Sequence, residues 1–301
     1  MTGPILVTGG SGQLAVALED ASVALGHLVR RVGRPAFDFD RPDSVAEVFD
    51  ALAPTLVVNA AAYTAVDAAE DDAEAALRAN RDGPAALARL CEAAGIPLVH
   101  VSTDYVFDGL KGAPYVETDP TSPQGVYGAS KLAGELGVLA GCSRAIVLRT
   151  SWVYAPTGRN FVRTMLAAGQ RHSQLRVVAD QAGCPTSAPD LAAAILGIAD
   201  TLLSGGWQPQ YGGIFHAAGT GDTTWHGLAT TTFEAAARHG MAVPTVAPIA
   251  TQDWPTRAKR PPDSRLDCAR LDEVFGLRLP PWQDGLVRTV DALFAEPLSR
   301  V

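Results

Sequence analysis

PILVTGGSGQLA, residues 4–15, joins a short β-branched run to a glycine-rich turn and the start of an apolar helix. The run PILVTGG is typical of a buried parallel strand that ends at glycines. The segment that follows, QLAVALEDASVAL, has the composition of a helix. Glycine permits a tight turn and the close approach of a phosphate, and a helix N-terminus attracts anions. Gly9, Gly12 and Ala15, at three-residue spacing, therefore predict a dinucleotide-binding loop.

Strands and helices continue to alternate through the first half of the chain. Further apolar strand runs are HLVRRV, TLVVNAAA, IPLVHVST and RAIVLRTSWVY. Between them lie the helical segments SVAEVFDAL, with Ser44 as the expected N-cap, DAEAALRANRDGPAALARLCEAAG, expected to end at Gly95, and VYGASKLAGELGVLA. This order predicts an α/β fold built on a doubly wound parallel sheet of the Rossmann type.

The alternation weakens after about residue 152. LRVVAD, DLAAAILGIADTLL and GIFHAAG still indicate strand, helix and strand, whereas the chain after Thr220 is richer in Pro, Trp and Arg. We expect residues 1–151 to form a dinucleotide-binding domain, to which residues 183–219 return. Residues 152–182 and 220–301 are expected to form a smaller α/β substrate-binding lobe at the carboxyl edge of the sheet.

Composition limits the partners of the chain. It has 301 residues, 47 % of them apolar, and a net charge of −8, which argues against a nucleic-acid-binding or anionic-membrane surface. The N-terminus has no signal-like segment, no stretch approaches a membrane helix, and the four cysteines form no CxxC motif. We therefore expect a cytoplasmic protein. The six histidines show no metal-binding spacing, so no catalytic metal is expected.

The end of the second strand run indicates the cofactor. An acidic side chain usually binds the ribose 2′-hydroxyl of NAD at this place. Here the strand ends in VRRVGR, with Arg30, Arg31 and Arg34. Because arginine binds phosphate through two parallel hydrogen bonds, we predict a preference for NADPH, with NADH as the alternative. Asp38 and Phe39 are predicted to end a further short strand and to bind and pack the adenine.

A tyrosine and a lysine on the helix that follows the fourth strand run carry the expected chemistry. On the helix VYGASKLAGE, Tyr127 and Lys131 lie four residues apart and share a face. A hydride that reaches a ketone leaves an alkoxide, which needs a proton. Tyr127 can supply it if the Lys131 ammonium lowers the pKa of the phenol, and Thr103 can bind the same oxygen. The small residues 128–130 are expected to keep the helix slim beside a flat cofactor.

Eight segments, in their order and spacing, resemble the dTDP-4-dehydrorhamnose reductase family, part of the extended short-chain dehydrogenases. They are TGGSGQL, VVNAAAYTAVDAAE, VSTDYVFDG, YGASKLAGE, LRTSWVY, RNFVRTML, DQAGCPT and RPPDSRLD. The resemblance implies reduction of the C4 ketone of a dTDP-linked 4-keto-6-deoxyhexose, which gives dTDP-L-rhamnose in the parent case. A dTDP-linked ketosugar is thus the expected partner.

The resemblance also implies roles for individual residues. Tyr127 matches the proton donor, Thr103 its tuning partner and Lys131 the ribose contact. It implies a pyrophosphate site at Gly12, Gln13 and Leu14, a nicotinamide site at Ala62, Tyr63 and Thr64, and substrate contacts at Asp104, Trp152, Asn160 and Arg260.

Two positions depart from the family pattern. The glutamates that hold a metal at a dimer interface in some members are matched here by Ala17 and Pro189. We therefore expect no such metal, and both a monomer and a homodimer stay open. An acid at the end of the second strand in some relatives is matched by Val32, which agrees with an NADPH preference.

Three other functions stay open. A 4,6-dehydratase or 4-epimerase is disfavoured, because the resembling dehydratases carry Asp-Glu where this chain has Asp104 and Tyr105. A reductase of another NDP-4-ketosugar in glycan or antibiotic synthesis is barely separated by sequence. A non-catalytic NADP-binding regulatory subunit, like that of methionine adenosyltransferase, is disfavoured by the intact Thr103, Tyr127 and Lys131.

Overall fold

Six parallel strands form the central sheet in the computed structural model, which describes residues 3–295. The chain also forms three two-stranded pairs outside that sheet. In chain order the strands are β1 (Ile5–Thr8), β2 (Val29–Val32), β3 (Leu56–Asn59), β4 (Leu98–Thr103), β5 (Ala145–Thr150), β6 (Val153–Tyr154), β7 (Gln174–Val178), β8 (Ala182–Gly183), β9 (Thr186–Ser187), β10 (Gly213–His216), β11 (Thr223–Thr224) and β12 (Thr245–Ile249).

The sheet has the strand order β10-β5-β4-β3-β1-β2. Ile5 of β1 lies opposite Val29 of β2 on one side and Leu56 of β3 on the other. The sheet therefore extends from β1 to β2 on one side, and from β1 through β3, β4, β5 and β10 on the other. A doubly wound sheet binds ligands at this reversal, outside the carboxyl ends of β1 and β3.

Within residues 3–295, eleven α-helices, interrupted or joined by short turns, surround these strands. They are α1 (Gln13–Leu25), α2 (Pro42–Leu52), α3 (Val66–Ala69), α4 (Ala73–Leu77), α5 (Gly83–Ala94), α6 (Val126–Gly141), α7 (Phe161–Arg171), α8 (Ala188–Gly205), α9 (Trp225–Ala237), α10 (Ala269–Phe275) and α11 (Trp282–Ala295).

Helices cover both faces of the sheet, which explains why its central strands β1 and β3 are fully buried. One core lies between the sheet, α1 and α8, and includes Leu18 and Ile195. The other lies between the sheet, α2, α5 and α6, and includes Phe49, Leu87 and Val138. The predicted doubly wound α/β fold is confirmed.

The long helical segment predicted before Gly95 is broken in the structure. Residues Arg78–Asp82 form a π-helical turn between α4 and α5, and the N–H of Gly83 donates to the carbonyl of Arg78. Pro84 has no N–H to donate to the carbonyl of Asn80, which favours the wider turn at this point. The predicted end is confirmed, since Gly95 caps α5 in the left-handed conformation.

Two local predictions near residue 40 are wrong. Ser44 does not cap α2, because the helix begins at Pro42 with Arg41 in the cap position. The Ser44 hydroxyl instead donates to the carbonyl of Arg41 at 2.7 Å and accepts from the N–H of Asp38 at 3.1 Å. Residues 33–41 form turns, so the short strand predicted to end at Asp38 and Phe39 is absent from this segment.

The remaining elements form a second packed region above the carboxyl edge of the sheet. It pairs β7 with β12, β8 with β11, and β6 with β9, and its core includes Tyr154, Val162, Leu228 and Leu286. α8 and β10 lie instead with the central sheet.

The expectation that no stretch approaches the length and composition of a membrane helix is wrong at α8. Among the described residues, α8 alone has the length and apolar composition of a bilayer-spanning helix, and 50 % of it is buried. Its Leu191, Ile195 and Leu202 pack in the core beside α1. An Ala- and Leu-rich core helix can therefore have the length and composition of a membrane helix.

Candidate active site

The glycine loop is built for close contact with a ligand. Gly9 has a φ of +113°, and a Cβ there would lie 3.0 Å from the backbone of Ala60. α1 begins after Gly12, which forms no side-chain cap, and the first turn of the helix holds no acidic residue. The N–H groups of that turn are thus free to bind an anion, and the loop fits a pyrophosphate. Gln13 and Leu14 lie in this first turn.

The two arginines predicted to bind a 2′-phosphate lie in different surroundings. Arg31 Nε binds Glu19 Oε2 at 2.8 Å, and its Nη1 donates to the carbonyl of Gly10 at 2.6 Å. Arg31 therefore holds the glycine loop against β2. Arg34 is 65 % exposed at its side chain and pairs with Asp38 and Asp40 at 2.9 and 2.7 Å.

The predicted adenine and nicotinamide residues lie at the same edge as the glycine loop. Phe39 packs on Gly83, where any Cβ would overlap its ring. Residues 62–64 follow β3 directly, and the N–H of Tyr63 donates to Asn80 Oδ1 at 2.8 Å. The positions of Phe39 and of residues 62–64 are compatible with the predicted adenine and nicotinamide contacts. Those contacts stay predictions.

Tyr127 lies near the start of α6, beside the end of β4. Its ring is 5.6 Å from that of Tyr105, at 75°. Burial raises the pKa of Tyr127 to about 12, the neighbouring Thr103 hydroxyl lowers it, and the Asp104 carboxylate raises it further. The prediction of a lowered pKa is therefore wrong for this structure. A phenol with this pKa is protonated at neutral pH, which suits a proton donor.

Lys131 is bonded to β4 beside that phenol. It is 2 % exposed, and its Nζ donates to the carbonyl of Val101 in β4 at 2.6 Å. Burial lowers the pKa of Lys131 to about 8, while the Glu135 carboxylate raises it. The ammonium is thus bound to the strand, and burial keeps the pKa of the Tyr127 phenol high.

Asn80, which the sequence analysis missed, links both sides of the crevice. It is fully buried in the π-helical turn, and its Nδ2 donates to the carbonyl of Tyr63 at 3.1 Å and to Ser130 Oγ at 2.9 Å. Ser130 Oγ in turn donates to the carbonyl of Tyr127 at 2.8 Å. An Asn shortly before Gly-Pro inside a helical run was the available signal, because such a break marks irregular backbone.

The small residues of α6 fit neighbouring backbone. A Cβ on Gly128 would overlap the carbonyl oxygen of Tyr105, and one on Gly134 would overlap that of Asn80. These close approaches show that glycine at these two positions is required by packing within the protein. The small residues 128–130 were expected for a different reason, namely contact with a flat cofactor.

Asp104 is a buried acid at the end of β4. It is 1 % exposed and accepts from Thr103 Oγ1 at 3.0 Å. Burial raises the pKa of Asp104 to about 6, and the hydrogen bond from Thr103 opposes that rise. Ser264, a residue without a predicted role, brings the C-terminal segment near this acid, and its own hydroxyl donates to the carbonyl of Ala182 at 3.4 Å.

The other predicted substrate residues are spread along the crevice. Trp152 has a φ of +48°, and its ring stacks on Trp225 at 3.6 Å. Asn160 caps α7 and donates to Gln13 Oε1 at 2.9 Å, so it joins the second region to the glycine loop. Arg260 binds Asp67 at 2.8 Å, and its guanidinium lies 6.0 Å from the Tyr105 ring centre.

The structure thus brings Thr103, Asp104 and Tyr127 together, with Lys131 behind them. Arg34 lies on the second-strand side of the glycine loop. Within residues 3–295, no three or more His, Cys, Asp or Glu side chains are grouped to hold a metal ion.

A dinucleotide crevice with a buried phenol at its edge is common to extended short-chain dehydrogenases, and this chain is an oxidoreductase of that class. Residues 1–294 match the family model described as RmlD substrate binding domain. The chain belongs to the dTDP-4-dehydrorhamnose reductase family.

Three similar proteins illustrate this membership. A dTDP-4-dehydrorhamnose reductase of Sinorhizobium fredii is 43 % identical over 292 residues, which cover 97 % of this chain and 98 % of that one. A probable dTDP-4,6-dihydroxy-2-methyloxan-3-one 4-ketoreductase of Streptomyces antibioticus is 42 % identical, over 76 % of this chain and 75 % of that one. The crystal structure of dTDP-4-dehydrorhamnose reductase from Bacillus anthracis in complex with NADP has a TM-score of 0.87 and 32 % identity, over 96 % of this chain and 99 % of that one.

Proposed function

We propose that this chain reduces the C4 ketone of dTDP-4-dehydro-L-rhamnose to give dTDP-L-rhamnose, with NADPH as the preferred reductant. The observation that carries the proposal is a buried, protonated phenol, Tyr127, beside Thr103 at the carboxyl end of β4. Relatives of similar length that bear the reductase name support this substrate.

The cofactor site is proposed along the edge of the sheet. Gly9, with the first turn of α1 at Gly12, Gln13 and Leu14, would hold the pyrophosphate. Arg34, with Arg31 behind it, would meet the 2′-phosphate, and Asp38 and Phe39 the adenine. Ala62, Tyr63, Thr64, Tyr127 and Lys131 would hold the nicotinamide half. The bound cofactor supplies the hydride that reaches C4.

The chain's own residues handle the proton and the orientation of the sugar. Tyr127 donates its proton to the C4 oxygen as negative charge develops there. The Thr103 hydroxyl, which donates to Asp104 Oδ1 in the structure, turns to donate a hydrogen bond to the same oxygen. Asp104, which is ionised above about pH 6, accepts from a sugar hydroxyl. Trp152 walls the sugar site, because its stack on Trp225 fixes the ring.

Lys131 and Asn80 act as positioning residues in this proposal. Lys131 fixes α6 against β4 through the carbonyl of Val101 and presents its remaining donors to the cofactor ribose. Asn80 fixes Tyr63 and, through Ser130, the first turn of α6. Each group therefore keeps Tyr127 at a defined distance from the cofactor edge.

The proposed division of labour follows the two packed regions. Residues 1–151 with 183–219 would bind the cofactor, and residues 152–182 with the segment from 220 onward would bind the nucleotide sugar. Asn160 and Arg260 lie where these regions meet, through Gln13 and Asp67 respectively.

A second candidate is reduction of a different dTDP-linked 4-ketosugar. The Streptomyces antibioticus relative, whose name describes a 4-ketoreductase acting on another dTDP-sugar, favours this candidate. A dehydratase is not favoured, because the position after Asp104 holds Tyr105, a phenol whose pKa is raised by burial and which cannot serve as a carboxylate base.

The test is a screen of dTDP-, UDP- and GDP-linked 4-ketosugars with NADPH and with NADH, with product stereochemistry determined by NMR. Turnover of dTDP-4-dehydro-L-rhamnose to the L-rhamnose product, faster than with the other sugars, is expected. Faster turnover of another dTDP-ketosugar would support the second candidate. Tight NADPH binding without turnover of any sugar would support a non-catalytic regulatory subunit.

A further inference from the structure

Both faces of the Trp152 indole are covered by the protein. On one face the ring stacks on Trp225, with the ring centres 3.6 Å apart and the planes at 8°. The backbone of Gly183 also lies over the ring, because a Cβ there would overlap Cε2 of the indole and lie 2.7 and 2.8 Å from Cζ2 and Nε1. Since Trp225 fills one face, Gly183 covers the other. The indole can therefore present only its rim to a ligand.

The backbone of Trp152 has a conformation that a bulky residue seldom adopts. Its φ is +48°, in the left-handed region, and such a conformation persists only where its surroundings fix it. Two hydrogen bonds do so here. The carbonyl of Trp152 accepts from the N–H of Thr186 at 3.2 Å, and the hydroxyl of Ser151 donates to the carbonyl of Cys184 at 2.6 Å. Both bonds join the end of β5 to the segment that carries Gly183.

Trp225 is itself held by a chain of hydrogen bonds. Its Nε1 donates to Gln181 Oε1 at 3.1 Å, and Gln181 Nε2 donates to Thr251 Oγ1 at 3.0 Å. Gln181 is 6 % exposed, so removal of either partner leaves a buried amide unsatisfied, which is costly. The backbone is paired at the same place, because Thr224 of β11 lies opposite Ala182 of β8. Trp225 therefore has a fixed position from which to hold Trp152.

The position of the aromatic pair indicates a ligand surface. Trp152 follows β5, whose last residue, Thr150, lies opposite Thr103 of β4, so the pair lies beside the reacting groups. Tyr154 and Trp282, in the same packed region, are buried, whereas Trp152 and Trp225 stay partly exposed. A strained and partly exposed aromatic rim at the edge of the crevice is typical of a surface kept rigid for recognition.

We propose that Trp225 and Gln181 are positioning residues for the sugar half of the substrate. Trp225 holds Trp152 so that the rim of its indole, and not its face, contacts the hexose, and Gln181 fixes Trp225. Both act on the sugar alone, while the nucleotide and the cofactor bind without them. This inference rests on the proposed function, since it assigns how the sugar of that same substrate is recognised.

The test is calorimetric titration of the full chain with dTDP-L-rhamnose, and with dTDP as the probe that lacks the sugar. Trp225→Ala is expected to raise the Kd for dTDP-L-rhamnose about fivefold and to leave that for dTDP unchanged, because only the sugar contacts the rim. Trp225→Phe, which keeps a flat ring, and Gln181→Met should each raise it about twofold, because both lose the bond between residues 181 and 225. Trp207→Phe, beside Tyr211 at the end of α8, should change neither Kd.

A double variant shows whether Trp225 acts through Trp152. Trp152→Ala is expected to raise the Kd for dTDP-L-rhamnose about tenfold, because the rim is lost. Adding Trp225→Ala to it should raise the Kd no further, since residues that act as a unit have non-additive effects. A combined rise of about fiftyfold, the product of the two, would mean that Trp225 acts on its own and would overturn the positioning role.

Gly183→Ala tests the other face of the indole. Its added methyl group should displace the Trp152 ring and raise the Kd for dTDP-L-rhamnose about as much as Trp225→Ala does. Gly205→Ala is the matched control, because a Cβ at Gly205 meets nothing within 4 Å. Unchanged binding of dTDP-L-rhamnose in Gly183→Ala would contradict a ring held on both faces.

The outcomes separate this inference from the proposed function. If the chain reduces dTDP-4-dehydro-L-rhamnose but Trp225→Ala binds dTDP-L-rhamnose like the unaltered chain, the positioning role is wrong and the function stands. Equal losses for dTDP and dTDP-L-rhamnose in Trp225→Ala would show a general loss of structure and also overturn the role. A loss confined to dTDP-L-rhamnose, in a chain that reduces no ketosugar, would support the positioning role and contradict the reductase. Failure of the unaltered chain to bind dTDP-L-rhamnose would overturn both.

Discussion

The two sides of the crevice are held by different forces. On the α6 side, Lys131 and Asn80 are buried and bonded to main-chain carbonyls, and Glu135 makes a buried pair with Arg149 at 2.6 Å. On the side of residues 254–260, Arg257 is paired with an exposed acid, Asp71. The first arrangement fixes atoms that must meet a reacting carbon, and the second leaves charges free to exchange partners.

The difference shows how the chain separates chemistry from recognition. A buried pair whose partner is removed leaves an uncompensated charge, so it tolerates little change. An exposed pair is screened by water and salt, so its loss changes stability little. The α6 side is therefore expected to respond strongly to substitution, through folding and rate, and the ion pair of residues 254–260 to respond weakly.

The largest expected effect is on stability, at the Glu135–Arg149 pair. Glu135 accepts from Ser102 Oγ at 2.5 Å and from two nitrogens of Arg149. Glu135→Gln should lower the free energy of unfolding by about 3–5 kcal/mol, because the Arg149 charge stays buried without a partner. Urea denaturation followed by fluorescence and circular dichroism measures it.

The matched variant at the exposed pair is Asp71→Asn. Its exposed pair with Arg257 should contribute less than about 1 kcal/mol. Equal losses in the two variants would remove the distinction between a fixed side and an exchangeable side.

Tyr127→Phe is expected to have the next largest effect. Loss of the proton donor should reduce kcat about 10²-fold or more and leave NADPH affinity within a few-fold. Tyr105→Phe is the matched control, because it removes a hydroxyl from the ring that contacts Tyr127. Comparable loss in the control, with Tyr127→Phe active, would reassign the proton donor to Tyr105.

The pH dependence of kcat/KM should come from two buried groups near the phenol. The Asp104 carboxylate becomes protonated as pH falls through about 6, and the Lys131 ammonium loses its proton as pH rises through about 8. Activity should therefore fall about tenfold per pH unit on each side of that range. The phenol, with a pKa of about 12, should not cause the upper decline.

Two variants identify the groups behind that profile. Asp104→Asn should remove the acidic decline, and Lys131→Met should remove the alkaline one, each at a lower plateau rate. An alkaline decline that persists in Lys131→Met would assign it to another group, Tyr127 included.

The smallest expected effect concerns the cofactor, at the two arginines beyond the glycine loop. Arg34→Ala should raise the KM for NADPH about fivefold and leave that for NADH nearly unchanged, because a 2′-phosphate contact is lost. Arg31→Ala should weaken both cofactors alike, because Arg31 holds the carbonyl of Gly10 in the loop that both require. A selective loss of NADPH in Arg31→Ala would reverse these assignments.

Local patterns sufficed for the sheet and for the glycine loop. A strand run, two glycines and a helix start occupy adjacent positions in the chain, so Gly9 and Gly12 are recognisable without distant contacts. The same holds for Tyr127 and Lys131, because a shared helix face follows from their four-residue spacing. The predictions from sequence were wrong where the local preference of a residue type was overridden by a contact in the folded chain. Ser44 is a good cap by residue type, yet its hydroxyl is held by the turn at Asp38 and Arg41.

The sequence by itself determined the class of fold, the family and the identity of the phenol and the ammonium, because periodicity and motif spacing are properties of neighbouring residues. Only the tertiary structure decided where those groups point and what they touch. Lys131 turns to the carbonyl of Val101, Arg31 to Glu19, and Arg257 to Asp71. The pKa of a buried phenol and the partner of an arginine depend on groups far away in the chain, so they emerge only when the fold brings these together.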